Sequence, residues 1–152
     1  MPVQVRVPYK KSTVIRGPLE KVYLALADVK HSVPLYFPGL EAFIPKGTNR
    51  FEWVFKEVGF RGQQLQIRIQ TEFRFFPVER IEIHALPGPS SATGQWTFKA
   101  IGSETEVGFE ITLETQLPVP GFLKAIAGPL AQAELTKFFD HYLHALSNIQ
   151  LA

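Results

Sequence analysis

Histidine is the side chain best suited to acid–base and metal chemistry near neutral pH, and the chain has four of them. His84 alternates outward with Glu82 on a predicted strand, while His141 and His144 fall on the charged side of a predicted helix. The pattern does not place His31 on an element. A zinc or hydrolytic site needs several such groups at one point, so the sequence favours solvated or capping histidines and predicts no metal site.

The residue types of the chain give little support for nucleophilic catalysis. The chain has no cysteine, which excludes disulfides, thiolate metal ligands and a cysteine nucleophile. Ser90 and Ser91 end the predicted loop Pro87-Gly88-Pro89-Ser90-Ser91, which is typical of a turn and does not match a nucleophile elbow. The glycines are isolated at turns, so no phosphate loop or dinucleotide fingerprint is present. The sequence therefore predicts no cofactor.

Carboxylates can act as general acids or bases only where they face a substrate. Glu104, Glu106, Glu110 and Glu114 all fall on outer positions of predicted strands. Since no carboxylate faces inward on a predicted strand, the pattern leans away from an enzyme without deciding the question.

Composition limits the class of protein. With 152 residues, 45% hydrophobic and 20% charged, the chain is predicted to form a single domain over residues 1–152. The net charge of +2 is spread along the chain, which argues against nucleic-acid binding. Neither a signal peptide nor a run of ~18 apolar residues is found, so a cytoplasmic protein is predicted.

The stretch from Pro129 to Ile149 has the strongest helical periodicity in the chain. At about 100° per residue its apolar residues form one stripe, with Lys137 and Asp140 on the other side. Gly128-Pro129 is predicted to break or kink any helix that continues from residues 122–127. The stripe consists of Ala131, Leu135, Phe138, Phe139, Tyr142, Leu146 and Ile149.

The first forty residues predict a strand and short helices. Val3, Val5 and Val7 alternate with polar residues, and the strand can extend irregularly to residue 15. Leu19 to Asp28 has helical spacing after Gly17-Pro18. Because prolines interrupt Val29 to Leu40, one helical turn and a loop are predicted there.

Hairpins are predicted through the middle of the chain, with registers that opposite charges can test. Pairing Phe55 with Leu65 places Glu52 opposite Arg68. Two further hairpins follow the same logic, the second turning at Gly102-Ser103. Their predicted pairs are Phe73 with Ile83, Arg74 with Glu82, Trp96 with Phe109, Phe98 with Val107, and Lys99 with Glu106.

Together these elements predict an α+β protein. Strands that are apolar on one face, followed by a long helix with one apolar stripe, favour an antiparallel sheet curled around that helix.

Several segments of the chain, taken with this order of elements, match a known family. They are Gly17-Pro18-Leu19-Glu20-Lys21-Val22-Tyr23, Leu26-Ala27-Asp28, Phe37-Pro38-Gly39-Leu40, Gly102-Ser103-Glu104-Thr105-Glu106-Val107 and the terminal helix. The chain resembles the START-like, or SRPBCC, helix-grip superfamily, which includes polyketide cyclase/dehydratase-like and lipid- or coenzyme-Q-binding proteins. The resemblance implies a curved antiparallel sheet of about six or seven strands around a long C-terminal helix, with two short helices after the first strand. It also implies a cavity that holds a hydrophobic molecule.

Under this interpretation the inward residues of sheet and helix line the cavity. The alternative is that they simply fill the core at normal packing density. Tyr142, Thr71 and Thr115 would add hydroxyls that orient a ligand, unless those hydroxyls bond to local backbone. The predicted ligand-binding residues are Trp53, Phe55, Ile69, Thr71, Phe73, Phe75, Ile83, Trp96, Phe98, Phe109, Ile111, Phe138 and Tyr142.

Two apolar, proline-containing loops cover residues 33–40 and 117–126. In related folds such segments border the cavity mouth, which implies a gate or a transient membrane contact. The competing interpretation is that both loops pack on the open end of the sheet.

Three functions are compatible with these observations. The first is non-enzymatic binding or transport of a hydrophobic small molecule such as a lipid, quinone, polyketide or aromatic compound. The second is a cyclase or dehydratase that uses Tyr142, Tyr36 or His31 for proton transfer. The third is a protein-interaction module with a filled core. The oligomeric state is not predicted.

Overall fold

The computed structural model describes residues 3–60, 63–117 and 120–151. The elements are β1 (Val3–Ile15), α1 (Leu19–Ala27), α2 (Val29–Tyr36), β2 (Leu40–Gly47), β3 (Arg50–Phe55), β4 (Val58–Phe60), β5 (Gln63–Leu65), β6 (Arg68–Phe76), β7 (Arg80–Ala85), β8 (Ser90–Ile101), β9 (Glu104–Leu117), a 3₁₀ turn (Gly121–Leu123) and α3 (Lys124–Ser147). Seven of the strands form one antiparallel sheet in the order β1-β9-β8-β7-β6-β3-β2, and β4 pairs with β5 in a separate hairpin.

Helix α3 lies on the apolar face of the sheet. The ring of Phe139 lies 5.1 Å from that of Tyr9 in β1 and 5.9 Å from that of Phe109 in β9. Phe138 stacks on Phe55 of β3 at 6.1 Å, near the other edge of the sheet. The helix therefore spans the sheet, and the predicted α+β helix-grip architecture is confirmed.

Alternation of apolar and polar residues explains why the sheet has one packed face. Buried positions alternate with more exposed ones along the whole of β9. The outer face has ion pairs between strands, such as Arg6 with Glu114 and Lys10 with Glu110, both at 3.6 Å. The predicted outward positions of the β9 glutamates are thus confirmed.

The two predicted registers in the second half of the chain are confirmed. Phe73 lies opposite Ile83, and Trp96 lies opposite Phe109. Gly102 adopts a φ of 60°, which is the backbone conformation that its predicted hairpin turn requires.

The predicted register between β3 and β6 is wrong by two residues. Glu52 lies opposite Gln70 and not opposite Arg68, because residues 58–65 form their own hairpin and lengthen the connection. A shift of two keeps every side chain on its predicted face. Arg68 still reaches Glu52 diagonally, at 3.5 Å.

Three element boundaries also differ from the predictions. Strand β2 was not predicted, because two register shifts and Pro45 disrupt its alternation. Helix α2 runs for eight residues with Pro34 inside it, where one turn was predicted. Helix α3 begins at Lys124 and not at Pro129, so the proline lies inside the helix and removes one backbone hydrogen bond without ending it.

The end of the last helix is joined to the end of the first strand. Gln150 forms a parallel bridge with Arg16, and the Leu151 N–H donates to the Arg16 carbonyl at 2.6 Å. A Cβ on Gly17 would lie 2.3 Å from the Leu151 carbonyl oxygen, so the close approach needs glycine.

In the described residues, no helix is long and apolar enough to cross a membrane.

Candidate functional site

An apolar pocket lies between the first half of α3 and the strands at one end of the sheet. We call it the α3 pocket. Its volume is about 30 Å³, which is room for one or two water molecules. A larger ligand would therefore have to displace part of the wall. The pocket is lined by Phe55, Lys56, Val58, Leu65, Ile67, Leu117, Ala127, Leu130, Ala131, Glu134, Leu135 and Phe138.

One flank of α3 supplies half of that lining. Counting about 100° per residue from Leu135, Phe138 lies about 60°, Ala127 about 80° and Glu134 about 100° to the same side. Phe139 lies about 40° to the opposite side, where it packs on Tyr9 of β1. The amphipathic helix therefore presents one flank to the pocket and the other to the sheet interior.

The second wall is built by the β4–β5 hairpin and the strand before it. The two short strands pair with each other, with Val58 opposite Leu65, and lie outside the seven-stranded sheet. The Phe55 N–H donates to the Ile67 carbonyl at 3.0 Å, which fixes the base of the hairpin.

The loop after α2 closes tightly against the helix. A Cβ on Gly39 would lie 2.6 Å from Phe138, so only glycine fits between the loop and that ring. The Gly39 carbonyl also accepts a hydrogen bond from the Lys56 N–H at 2.9 Å. Phe138 is thereby held between Gly39 and Phe55.

Beyond the pocket, the space between sheet and helix is filled by aromatic rings. Phe37 lies at the centre, with ring centroids 4.9 Å from Tyr142 and 5.8–6.0 Å from Trp53, Phe55 and Phe139. We call this region the aromatic interior. It comprises Phe37, Trp53, Phe73, Trp96, Phe109, Phe139 and Tyr142, all buried.

Polar groups in the aromatic interior bond to one another. The Trp96 indole N–H donates to the Tyr142 hydroxyl at 3.0 Å, and the Trp53 indole N–H donates to the Thr71 hydroxyl at 2.8 Å. Burial raises the pKa of the Tyr142 hydroxyl, so it is neutral at physiological pH. Throughout the described part of the chain, no buried side-chain nitrogen or oxygen lacks a hydrogen-bond partner.

The two threonine hydroxyls that were predicted to orient a ligand or to bond to backbone contact other side chains. Thr115 pairs with Ser90 at 2.5 Å, and Thr71 accepts from Trp53.

The predicted ligand-binding residues separate into two groups. Phe55 and Phe138 line the α3 pocket, and most of the others lie in the aromatic interior or the sheet beneath it. Phe75 is half-buried at the edge of that core. The prediction missed Glu134, although its helical phase lies close to that of Phe138 and could have identified it.

The candidate acid–base residues do not form one cluster. His31 is exposed, with Nδ1 2.9 Å from the Asp28 carboxylate, whereas Tyr142 is fully buried. His84 pairs with Glu82 at 2.8 Å, and His141 and His144 are exposed as predicted. Among residues 3–60, 63–117 and 120–151, no group of His, Asp or Glu is arranged to hold a metal ion.

A second polar cluster lies on the far flank of α3. The Tyr9 hydroxyl donates to Asp140 Oδ1 at 2.7 Å, and Lys11 Nζ donates to the same oxygen at 2.8 Å. The Lys11 bond, followed by the Tyr9 bond, holds the pKa of Asp140 below its usual value, while burial and then the Asp140 bond raise the pKa of Tyr9. This cluster ties the helix to β1.

The two predicted mouth loops are partly helical, since α2 extends to Tyr36 and α3 begins at Lys124, and they differ in burial. In the 33–40 loop, Val33 and Phe37 are buried, and Leu35 is 70% exposed. In the 117–126 loop, Phe122 is 83% exposed and Ile126 is 49% exposed, while residues 118 and 119 lie outside the described residues. The second loop presents more apolar surface to solvent.

The fold is shared with solved structures of low sequence identity. A START superfamily protein from Mycobacterium smegmatis matches with a TM-score of 0.65 and 16% identity, over 92% of this chain and 94% of that one. The ZhuI aromatase/cyclase from Streptomyces sp. R1128 matches with a TM-score of 0.61 and 13% identity, over 93% and 92%. A protein from Thermus thermophilus matches with a TM-score of 0.61 and 19% identity, over 93% and 94%.

No family model matches the sequence, and no curated protein matches it. The structural matches show that the chain has the START-like helix-grip fold, as its resemblance to that superfamily implied.

Proposed function

We propose that the chain binds one hydrophobic small molecule in an enlarged form of the α3 pocket. The observation that supports this is the lining itself, in which all residues except Lys56 and Glu134 are apolar. Ligand sites are typically apolar clefts with a few polar groups at defined points. The solved aromatase/cyclase and START superfamily protein have the same fold, which is consistent with a small-molecule ligand.

Opening of the pocket would involve its less constrained walls. The β4–β5 hairpin is held by three residue pairs and does not join the main sheet. On the helix side, Ile126 and Leu130 are partly exposed, so this half of α3 buries less apolar surface than the half around Phe139. Segments with few buried contacts open at lower free energy than the core does. The expected motion is displacement of the hairpin, of this half of α3, or of both.

The test uses a hydrocarbon probe and a matched pair of helix variants. Ala131→Leu adds three carbon atoms inside the α3 pocket, and Ala133→Leu adds the same atoms at an exposed position of the same helix. We expect 1-methylnaphthalene to quench or shift tryptophan fluorescence in the wild type and in Ala133→Leu, with binding lost in Ala131→Leu. Native mass spectrometry of the purified protein, compared with denaturing spectra, would identify any ligand already bound. Absence of both probe binding and a co-purified ligand would contradict the proposal.

Transient membrane contact through the 117–126 loop is a further part of the proposal. Phe122 and Ile126 are exposed apolar side chains, and no acidic residue occurs between Glu114 and Glu134. Sedimentation with phosphatidylcholine vesicles should fall for Phe122→Ser and stay unchanged for Leu35→Ser, which alters the other loop. Equal sedimentation of all three proteins would contradict this part.

A protein-interaction module is a second candidate, favoured by the closed aromatic interior. An interior whose described polar groups are all satisfied needs no ligand for completion. In this case the purified protein would contain no ligand, and the variants at Ala131 and Ala133 would leave binding of a partner unchanged.

A further inference from the structure

Glu134 combines a position in the α3 pocket with a half-buried side chain that ends in a carboxylate. It lines the α3 pocket beside Leu130, Ala131 and Phe138, on a wall that is otherwise apolar. Within the described residues, its side chain has no hydrogen-bond or ion-pair partner.

Four other half-buried carboxylates among the described residues are paired. Glu52 lies 3.5 Å from Arg68, Glu72 lies 3.0 Å from Arg50, and Glu82 lies 2.9 Å from Arg80. Asp140 accepts bonds from Tyr9 and Lys11. Half-buried carboxylates in this protein are thus usually paired, and Glu134 is an exception because it has no such partner.

Glu106 is also half-buried without a partner among the described residues, but its surroundings differ. It lies opposite Lys99 on the outer face of the sheet. It does not line the α3 pocket. The combination of an apolar cavity and a carboxylate with no partner therefore occurs at Glu134.

We infer that Glu134 is the polar anchor of the ligand, and that the ligand is an apolar molecule with a cationic amine at one end. This inference depends on the proposed function and specifies the chemical class that the α3 pocket takes. An ionised carboxylate only accepts hydrogen bonds, so its partner must be a donor. An ammonium group supplies both the donor and the opposite charge, and charge-assisted bonds are about twice as strong as neutral ones.

Lys56 is the competing anchor on the same rim, and it would select an acid. Its side chain is exposed, and a flexible ammonium in water is already well hydrated. Glu134 is the more shielded of the two, so its need for a partner is greater. We therefore expect Glu134, and not Lys56, to determine which class of ligand binds.

The test compares three probes that share a naphthalene ring. These are 1-naphthylmethylamine, 1-methylnaphthalene and 1-naphthylacetic acid, titrated at pH 7 against the wild type, Glu134→Gln and Lys56→Met. We expect the wild type to bind the amine at least about tenfold more tightly than the hydrocarbon. In Glu134→Gln the amine should lose that preference, so that the two affinities become about equal. Glu106→Gln is the matched control, and it should behave as the wild type does.

Each contrary result identifies what failed. Equal affinity for amine and hydrocarbon in the wild type would remove Glu134 as an anchor and leave the proposed binding function intact. Tightest binding of the acid, lost in Lys56→Met, would replace the inference with an anionic ligand held by Lys56. If none of the three probes binds, the proposed function itself fails.

Discussion

The two halves of α3 meet the sheet in different ways. Around Phe139 and Tyr142, the helix packs on a continuous set of rings, and the polar atoms there bond to one another. Around Leu130 and Glu134, the same helix leaves a small apolar pocket, a partly exposed wall and a carboxylate with no partner among the described residues. One half has the features of a core that stabilises the fold, and the other has those of a site. The difference suggests that stability and binding can be changed separately along one helix.

The largest effect is expected from truncating the packed half. Phe139 is 0% exposed and contacts Tyr9, Phe37 and Phe109. Phe139→Ala should lower the free energy of unfolding by about 3–5 kcal/mol, because it removes buried surface and leaves a cavity. Urea denaturation followed by circular dichroism measures this. A loss below about 1 kcal/mol would mean that the interior is not closely packed.

A smaller effect is expected from the hydrogen bond within the aromatic interior. Tyr142→Phe keeps the ring and removes the acceptor of the Trp96 indole N–H. A buried donor without a partner costs about 1–3 kcal/mol, which urea denaturation should show. The double variant Tyr142→Phe with Trp96→Phe should lower the free energy of unfolding by less than the sum of the two single variants. The reason is that it also removes the indole donor, which Tyr142→Phe alone leaves without a partner. Strict additivity would show that the bond contributes nothing.

Phe138→Ala should distinguish the pocket half of α3 from its packed half most directly. Phe138 is half-buried between Gly39 and Phe55, so its truncation should cost no more than about 2 kcal/mol. It also enlarges the α3 pocket, and we expect tighter binding of 1-methylnaphthalene by fluorescence titration. Phe139→Ala serves as the control that loses stability without this gain. A Phe138 variant as unstable as the Phe139 variant would place the pocket within the core.

The smallest effect concerns the ion pair on the far flank of α3. Because the native pKa of Asp140 is lowered by Lys11 and Tyr9, its contribution is present above the unfolded pKa of about 3.9 and is lost as pH falls through the native value. Asp140→Asn should therefore reduce stability at pH 7 by about 0.5 kcal/mol, as exposed pairs do. The difference from the wild type should become smaller as the pH falls below about 3.9 through the native pKa of Asp140. Urea midpoints measured at pH 7 and at a series of acidic pH values test this, and a difference that does not change with pH would contradict the assignment.

Local patterns determined how much could be predicted. The β8–β9 register followed from Gly102-Ser103 and from Lys99 opposite Glu106, because a two-residue turn leaves little choice of pairing. The β3–β6 register failed because the separate hairpin at residues 58–65 gives no strong alternation of its own. Strand β2 was missed for a related reason, since its bulges hide the period of two.

The candidate site was harder to predict than the fold. Phe55 and Phe138 were expected to contact a ligand, and they line the α3 pocket. Most other members of that set lie in or beneath the aromatic interior, because periodicity shows which face is buried but not how the side chains fill the space behind it. Glu134 was missed because the predicted stripe contained only apolar residues, and Glu134 lies about 100° from its centre at Leu135.

The pairing of the first strand with the last one has a consequence for biosynthesis. Val5, Val7 and Tyr9 of β1 are buried, with β9 as their strand partner and α3 packed on Tyr9. β9 begins only at Glu104, so a ribosome adding about 5–20 residues per second needs roughly 5–20 s to supply that partner after β1 is made. During this interval the apolar face of β1 is not yet buried by β9 and α3. Chains stalled before residue 104 should therefore be digested readily by protease, and chains released after α3 should resist it.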